Sequence, residues 1–376
     1  MASKESESLA PGGGGLAFWV VGFILLIAMP LLNVLPPEDS WLHLSDFSLN
    51  RFGKFLAFAI LALGLDLIWG YTGILSLGQG VFFGLGAYCM GMHMMLTIGK
   101  ESVYGSDLPD FMVWNQVKEL PFFWKPFYSF PAAVIGAILV PMLFALVFGF
   151  FAFRSRIKGV YFAIITQALA LAAWLVFNRN DTNLGGTNGL TDFKQLIGYR
   201  LSDPGTQRVL YIVTVLCLGG AYLLCRWIIR SRAGRVLVAV RDSEQRVTFS
   251  GYTPANYKLF VFVVAAALAG LAGMLYAPQV GIITPAQIGV LPSLEMVIWV
   301  AVGGRASLAG AVLGAVSVNY GRSILTNYFP ELWPFILGGL FVVVVLLFPD
   351  GLIGIMRKMK ERMRMGKAAA ASEGKR

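Results

Sequence analysis

The chain has 376 residues, of which 57% are hydrophobic and only 13% are charged, and its mean hydropathy is +0.70. These values exclude an ordinary soluble domain and indicate a protein that crosses a lipid bilayer several times. The formal net charge is +10, but in a membrane protein an excess of Lys and Arg reports topology, so we expect no nucleic-acid partner.

Ten apolar segments come close to the length of about 20 residues that a membrane-spanning helix needs. They cover residues 16–35, 54–72, 74–98, 129–153, 159–177, 207–229, 257–281, 292–304, 308–325 and 332–349. The segment 292–304 is short, and only Gly73 separates the second segment from the third, so a broken or re-entrant helix is an alternative there. We therefore expect an all-α bundle with eight to ten membrane-spanning helices.

The basic residues predict the orientation. With the amino terminus inside, alternating spans place Arg154, Arg305, residues 226–258 and the tail from Arg357 on the cytoplasmic side, as the positive-inside rule requires. Both termini are therefore predicted to be cytoplasmic. The first segment is longer than a signal-peptide core, so we expect it to be retained. The domains are then a tail over 1–15, a transmembrane domain over 16–353 and a basic tail over 354–376.

Two long loops, 99–128 and 178–206, fall on the outer side in this orientation. Long loops in compact proteins often carry function, although these two could simply join helices. Within the spans, Gly80/Gly84 and Gly310/Gly314 each form a GxxxG pair. Such small-residue faces let helix backbones approach closely, which predicts a multi-helix bundle rather than separate anchors.

Few polar side chains fall inside the apolar segments. Each needs a partner, water or a function, because a charge at membrane depth costs about 2.5 to 3.5 kcal/mol. The candidates are Asp66, near the middle of its run, and Gln79, Thr166, Gln167 and Glu295. They predict a polar lining for a pathway that carries a small hydrophilic solute. The alternatives are that Asp66 and Gln79 bond backbone groups freed by the Gly-rich break and that Glu295 lies at the membrane interface.

Catalytic and nucleotide-binding patterns are missing from the sequence. Its two histidines, His43 and His93, both lie at predicted outer positions, and they assemble no metal cluster and no Ser/His/Asp arrangement. There is no GxxxxGK[ST] loop to hold nucleotide phosphates. We therefore expect no enzymatic activity and no cofactor bound by this chain. Transport would run on a gradient, through a passive pore, or with a separate ATPase that contacts the cytoplasmic surface.

The segment 230–256 is the internal cytoplasmic stretch large enough to form such a contact surface. Its apolar residues recur mainly at three- and four-residue spacings, with charges of both signs between them. The apolar set is Val236, Leu237, Val240 and Val247, and the charged set is Arg235, Arg241, Asp242, Glu244 and Arg246. This pattern predicts a short amphipathic helix that stops at Gly251. The alternative is a helix resting on lipid headgroups, but anionic lipid would repel the two acids, so mixed charge favours a protein partner.

Long motifs follow one another through the chain. They are "GYTGILSLGQGVFFGLGAY" at 70–88, "GVYFAIITQALA" at 159–170, "GGTNGL" at 185–190, the run "GRVLVAVRDSEQRVTFSGYTPANYKLF" from Gly234, and "GGRASLAGAVLGA" at 303–315. In this order they resemble the permease subunits of the branched-chain amino-acid type of ABC importer, over roughly residues 52–354. Within that family, "LDLIWGYTGILSLGQG" and "VIWVAVGGRASLAG" are most similar to the urea-importer permease. Branched-chain amino acids, another short amide, or a passive urea channel remain alternatives.

The resemblance implies a multi-subunit machine in a bacterial inner membrane. Its other parts would be a second homologous permease in a heterodimer, two cytoplasmic ATPase subunits that bind ATP and Mg²⁺, and an extracytoplasmic solute-binding protein. Residues 235–251 match the segment that contacts the ATPases. The predicted coupling residues are Arg235, Val240, Arg241, Asp242, Glu244, Arg246 and Gly251.

Urea is neutral, so its path needs hydrogen-bonding groups rather than fixed countercharges. The predicted path residues are Gln79, Tyr161, Thr166, Gln167 and Asn188, with Asp66 and Glu295 as acceptors for the amide hydrogens.

Overall fold

The structure is a computed structural model that describes residues 13–37, 40, 43–99, 104–155, 157, 159–347 and 351–354. The predicted tails over 1–15 and 354–376 therefore lie almost wholly outside the described residues, and the cytoplasmic placement of both termini stays a prediction.

Helices make up most of the described chain. In chain order they are α1 (Gly13–Val34), α2 (Asp46–Thr72), α3 (Gln79–Ile98), α4 (Asp110–Trp114), α5 (Phe130–Arg154), α6 (Val160–Phe177), α7 (Pro204–Arg230), α8 (Arg232–Phe249), α9 (Pro254–Val280), α10 (Val290–Gly303), α11 (Leu308–Tyr328) and α12 (Trp333–Leu347). Short 3₁₀ turns cover Lys125–Tyr128, Asn180–Thr182, Gly186–Asn188, Pro285–Ile288 and Pro330–Leu332. The hairpin strands β1 (Gln195–Leu196) and β2 (Tyr199–Arg200) pair antiparallel.

Each of the ten apolar segments corresponds to a helix, which confirms the predicted all-α bundle. Seven of the described helices, α2, α3, α5, α6, α7, α9 and α11, are long and apolar enough to cross a membrane on their own. As expected, α10 is short, with 14 residues.

Helix α2 begins earlier than hydropathy predicts, at Asp46 rather than residue 54. The Oγ atom of Ser45 caps its amino terminus by accepting a hydrogen bond from the Ser48 backbone N–H at 3.3 Å. Its other end is set by Gly73, whose φ of +75° is left-handed and suits glycine. The full helix has 27 residues.

The chain breaks between α2 and α3, which settles the ambiguity around Gly73 in favour of two helices. The freed backbone N–H groups find side-chain acceptors on other elements. The Leu77 N–H donates to Thr166 Oγ1 at 3.0 Å, and the Gly80 N–H donates to Ser293 Oγ at 3.3 Å. The expectation that Asp66 or Gln79 would bond these groups is therefore wrong.

The core of the bundle lies where α9 packs against α2, α3 and α5. The apolar windows of α2 and α3 are 83% and 89% buried, against 22% and 28% for α5 and α6. Small residues permit this packing, because a Cβ atom on Gly273 would lie 2.8 Å from the Ala87 backbone nitrogen. The two most enclosed helices, α2 and α3, are thus the centre around which the others are placed.

The GxxxG pairs are contact surfaces, as predicted. Gly310 and Gly314 face Gly303 of α10, and a Cβ atom on Gly310 would lie 2.6 Å from the Gly303 carbonyl oxygen. Gly80 and Gly84 face the turn that ends at Ile288. Helices α10 and α11 therefore approach each other at backbone distance.

The two long loops pack on each other at the end of the bundle opposite α8. Trp124 is fully buried, and its indole N–H donates to the backbone carbonyl of Asn183 at 3.1 Å. Leu190 pairs with Ile283 in an isolated β-bridge next to the start of α10. The loops therefore form one ordered layer over this end of the helices.

Candidate functional site

Helix α8 is the predicted amphipathic helix, and it lies across the ends of the spanning helices. Its first turn is capped by Ser231, whose Oγ accepts from the Gly234 N–H at 3.3 Å. Leu237, Val240 and Val247 are buried against the bundle. Gly251, with a φ of +83°, follows its last turn, as the sequence predicts.

Arg241 fixes α8 to α2, one of the two most buried spans. Its Nη1 atom donates to the backbone carbonyl of Gly70, in the last turn of α2, at 3.1 Å. The last carbonyls of a helix lack partners within the helix and carry a partial negative charge, so a guanidinium is well suited to this position. Arg241 also pairs with its neighbour Asp242.

Glu244 fixes α8 to a second span. Its carboxylate pairs with the ammonium of Lys258, in the second turn of α9, at 2.8 Å. Between Arg241 and Glu244 the backbone leaves the helical region at Ser243, where φ is −162° and ψ is 96°. Helix α8 therefore has two helical pieces, one held by α2 and the other by α9.

The exposed side of α8 and the start of α9 form a groove of about 730 Å³, which we call the α8 groove. It is lined by Arg232, Arg235, Val236, Ala239, Asp242, Ser243, Arg246, Val247, Ser250, Tyr252 and Tyr257. Cations predominate, with one carboxylate and two tyrosines among them. The predicted coupling residues therefore separate into a groove-lining set, Arg235, Asp242 and Arg246, and a set that holds α8 in place, Val240, Arg241 and Glu244.

Asp66 lies near the middle of its apolar run but not near the middle of its helix, because α2 starts earlier than that run. It lies in the last two turns of α2, fully buried, and its Oδ1 atom accepts from the Ala306 backbone N–H at 2.8 Å. Ala306 belongs to the short loop between α10 and α11 and has a left-handed φ of 55°. Asp66 therefore holds this loop against α2 rather than lining a cavity.

Gly70 makes this docking possible. A Cβ atom added there would lie 2.8 Å from the Cα atom of Ala306. Arg305, which precedes Ala306 in the same loop, places its guanidinium 4.3 Å from the centre of the Trp69 ring. The end of α2 thus joins α8, through Arg241, and the loop between α10 and α11, through Asp66.

A cavity of about 810 Å³ lies at the other end of α2, and we call it the Lys54 cavity. Lys54 and Gly70 are 16 residues apart on one helix, which places them about 24 Å apart along its axis. The polar and charged lining consists of Arg51, Lys54, Tyr276, Gln287, Glu295, Asn319, Arg322, Ser323, Thr326 and Asn327. The aromatic lining consists of Phe55, Phe58, Trp174, Trp299 and Trp333.

An aromatic cluster underlies the Lys54 cavity. The ring centres of Phe58 and Trp299 are 4.8 Å apart, those of Phe58 and Tyr276 are 5.4 Å apart, and Phe83 lies 5.1 Å from Tyr276. These rings come from four different helices, α2, α3, α9 and α10. Phe58 lies one helical turn from Lys54 toward the α8 end of α2, and Phe58, Tyr276 and Trp299 all line the cavity.

Of the predicted path residues, Glu295 lies in the Lys54 cavity, where its carboxylate pairs with Arg322 of α11. The alternative that Glu295 simply lies at the membrane interface does not account for this cationic partner on another helix. Gln79 is buried at the start of α3. Thr166 is buried as well, and its hydroxyl donates to carbonyls of its own helix.

The other path residues are scattered. Tyr161 is 73% exposed at the start of α6, Gln167 is half-buried on the same helix, and Asn188 is exposed in a loop turn. Of that set only Glu295 lines the Lys54 cavity, together with three cations. A solute path along the other residues stays a prediction.

The sequence reasoning missed a polar face on α11. Asn319, Arg322, Ser323, Thr326 and Asn327 recur at three- and four-residue spacings and all line the Lys54 cavity. Arg51, at the other side, donates from Nη1 to Ser323 Oγ at 2.9 Å. Helical periodicity within the span 308–325 was the signal that could have found them.

A bundle of spanning helices, a solute-sized polar cavity at one end and an amphipathic helix docked across the other define a membrane transport subunit. Comparison with known proteins gives the family: the profile described as "Branched-chain amino acid transport system / permease component" matches residues 48–345. The chain belongs to this family. It is a multi-pass inner-membrane permease of the ABC transporter class, and its relatives are named as transport subunits rather than enzymes.

Curated relatives cover most of the chain. The high-affinity branched-chain amino acid transport system permease protein LivM of Escherichia coli (strain K12) is 26% identical over 342 residues, which cover 84% of this chain and 72% of LivM. The permease protein BraD of Pseudomonas aeruginosa is 24% identical, over 79% of this chain and 91% of BraD. A probable LivM of Methanocaldococcus jannaschii is 23% identical, over 78% and 89%. No solved structure is significantly similar to the chain.

Proposed function

We propose that the chain is the permease subunit of an ATP-driven importer of urea. A second, homologous permease forms the translocation pathway with it, two cytoplasmic ATPase subunits bind ATP and Mg²⁺ and supply the energy, and an extracytoplasmic solute-binding protein delivers the solute. The observation that carries this proposal is the docking of α8, through Arg241, on the carbonyl of Gly70 at the end of α2.

The docking supports coupling because it joins an exposed, charged groove to α2, one of the two most buried helices. A partner that binds Arg235, Asp242 and Arg246 in the α8 groove would pull on α8. Arg241 would pass that movement to α2, and Asp66 would pass it to the loop between α10 and α11. The same movement at the far end of α2 would shift Phe58 and open the aromatic cluster, as alternating access requires.

The orientation follows from the same assignment. The α8 end faces the cytoplasm, where ATP is available, and the Lys54 cavity with the two long loops faces outwards. The excess of Lys and Arg around α8 supports this orientation.

Urea is supported by the motif resemblance described above. A second candidate, a branched-chain amino acid, is favoured by the cations of the Lys54 cavity, because Arg51, Lys54 and Arg322 outnumber the one carboxylate there and suit a solute with its own carboxylate. The names of the curated relatives favour this candidate as well.

Reconstitution tests the proposed class. The permease pair, with its ATPases and binding protein, is placed in proteoliposomes, and uptake of radiolabelled urea is compared with uptake of radiolabelled leucine. ATP-driven uptake of urea that leucine does not compete away supports the leading proposal, and the reverse supports the second candidate. Uptake of urea by this chain alone, without ATP, would instead indicate a passive channel.

A further inference from the structure

The Lys54 cavity carries a finer inference, which rests on the proposed function. Lys54 lies one residue past Gly53, in the first third of α2, and its ammonium group faces the cavity between two aromatic rings. The Nζ atom is 5.8 Å from the centre of Phe58 and 5.7 Å from the centre of Tyr276. Among the described residues it donates to no hydrogen-bond acceptor and forms no ion pair.

An ammonium group in this position has N–H donors that are available for a hydrogen bond to a solute. Its three N–H bonds were solvated by water in the unfolded chain, and the rings of Phe58 and Tyr276 replace that water only in part. Such a group stabilises any solute that presents an oxygen acceptor. Glu295, whose carboxylate lines the same cavity, is already paired with Arg322.

Glu295 supplies the complementary chemistry. Its side chain is 14% exposed, and that of Arg322 is 45% exposed. The ion pair holds the carboxyl group in place, and its oxygens have lone pairs left for two or more N–H donors. The cavity therefore holds a donor group, Lys54, and an acceptor group, Glu295, on facing helices.

The polar face of α11 lines this cavity. Asn319, Arg322 and Thr326 are spaced along one side of the helix, together with Ser323 and Asn327. In a spanning helix, such groups are stable only against water, protein or a solute. A wet cavity on the solute's route satisfies that requirement.

We propose that the Lys54 cavity is the solute site of this permease, in which Lys54 donates to the carbonyl or carboxylate oxygen of the solute and Glu295 accepts from its N–H groups. Arg322 is a positioning residue that holds Glu295. The shared chemistry is a small molecule with an oxygen acceptor at one end and N–H donors at the other, as in urea or an α-amino acid. The solute rests against the aromatic cluster around Phe58 until these rings move apart.

The test is uptake kinetics in the reconstituted complex, with radiolabelled urea in one arm and radiolabelled leucine in the other. Lys54→Gln and Glu295→Gln each remove one charged hydrogen bond, so we expect the apparent KM of the transported solute to rise on the order of 10-fold or more. Lys118→Gln, an exposed lysine of the loop 99–128, is the matched control and should leave KM unchanged. Co-purification of the ATPases with each variant verifies assembly, and Glu295→Gln carries the test if Lys54→Gln does not assemble.

A charge swap separates recognition from structure. Glu295→Arg combined with Arg322→Glu restores an ion pair but reverses its direction, so uptake should stay low if Glu295 binds the solute. Recovery of uptake by the swap, or a KM within twofold of wild type in assembled Lys54→Gln and Glu295→Gln complexes, would overturn the proposal. If the wild-type complex takes up neither solute with ATP, the proposed function itself fails. The radiolabelled solute, urea or leucine, whose KM rises in these variants is the solute that the site binds.

Discussion

The guanidinium of Arg241 donates to the backbone carbonyl of Gly70 at 3.1 Å, and this bond ties the amphipathic helix α8 to the end of α2, one of the two most buried spanning helices. A cation is favoured at a helix carboxyl end because the last carbonyls are unpaired and carry partial negative charge. The bond therefore has two roles. It caps the carboxyl end of α2, and it makes α2 follow any movement of α8.

Replacing Arg241 by Gln should uncouple the two helices. Because the side chain is about one-third exposed, we expect the loss in unfolding free energy to be small, about 1 kcal/mol. The rate of solute uptake should fall more than this small loss of unfolding free energy would explain. The ATPases should still bind and hydrolyse ATP. Thermal unfolding in detergent, ATP hydrolysis and solute uptake are measured on the same complex.

Arg246→Gln is the matched comparison, because Arg246 lines the α8 groove and is exposed. Its replacement should weaken co-purification of the ATPases and leave the thermal stability of the permease unchanged. The separation of the coupling residues into two sets is wrong if both variants lose ATPase binding to the same extent.

Gly70→Ala should disrupt the junction by steric means. The added Cβ atom would lie 2.8 Å from the Cα atom of Ala306, and backbone cannot move aside as a flexible side chain can. We expect a loss of roughly 1 to 3 kcal/mol in unfolding free energy and a strong loss of uptake. Gly220→Ala is the control, because a Cβ atom there meets nothing within 4 Å in the described structure. Equal effects of the two substitutions would contradict a specific role for Gly70.

Hydropathy and periodicity predict the secondary structure well but place side chains poorly. A stretch such as 257–281 is apolar throughout, so it predicts a helix, and the alternation around Val240 and Arg241 predicts an amphipathic one. These patterns report local burial. Whether the Arg241 side chain meets an ATPase or a carbonyl of α2 depends on which helices pack together, and this long-range information is absent from a local pattern.

Asp66 and Thr166 illustrate the same limit. Each is a polar residue in an apolar run, which predicts a function or a partner without distinguishing the two. The structure assigns both to partners, since Asp66 holds the Ala306 N–H and Thr166 holds the Leu77 N–H. Lys54 and Arg322, by contrast, lie near the predicted ends of their spans, where charges are also expected for topological reasons, so a local pattern does not mark them as functional.

Asp66→Asn should preserve the loop between α10 and α11. The asparagine Oδ1 can still accept from the Ala306 N–H. Asp66→Leu removes the acceptor and leaves a buried N–H unpaired, at a cost of about 1 to 3 kcal/mol. We therefore expect near-normal uptake and stability for Asn and loss of both for Leu. If the charge of Asp66 took part in transport, Asn would reduce uptake as strongly as Leu does.

The pair between Glu244 and Lys258 should be worth more than its 2.8 Å distance alone indicates, because the side chain of Lys258 is only 9% exposed. Glu244→Gln leaves this ammonium buried without its carboxylate, and we expect a loss of about 1 to 3 kcal/mol in unfolding free energy, below the value for fully buried pairs because Glu244 is 27% exposed. Lys258→Met in the same chain removes the unpaired charge and should recover much of that loss.

A double-mutant cycle on Glu244 and Lys258, measured by unfolding of the purified permease, isolates the interaction. Arg179 and Asp181 supply the control, since they lie at the same distance of 2.8 Å but are 67% and 78% exposed. Their interaction energy should stay below about 1 kcal/mol because water screens an exposed pair. If the Glu244 and Lys258 substitutions prove additive, the second half of α8 is not held by this pair, and movement of the groove would reach the spans through Arg241 alone.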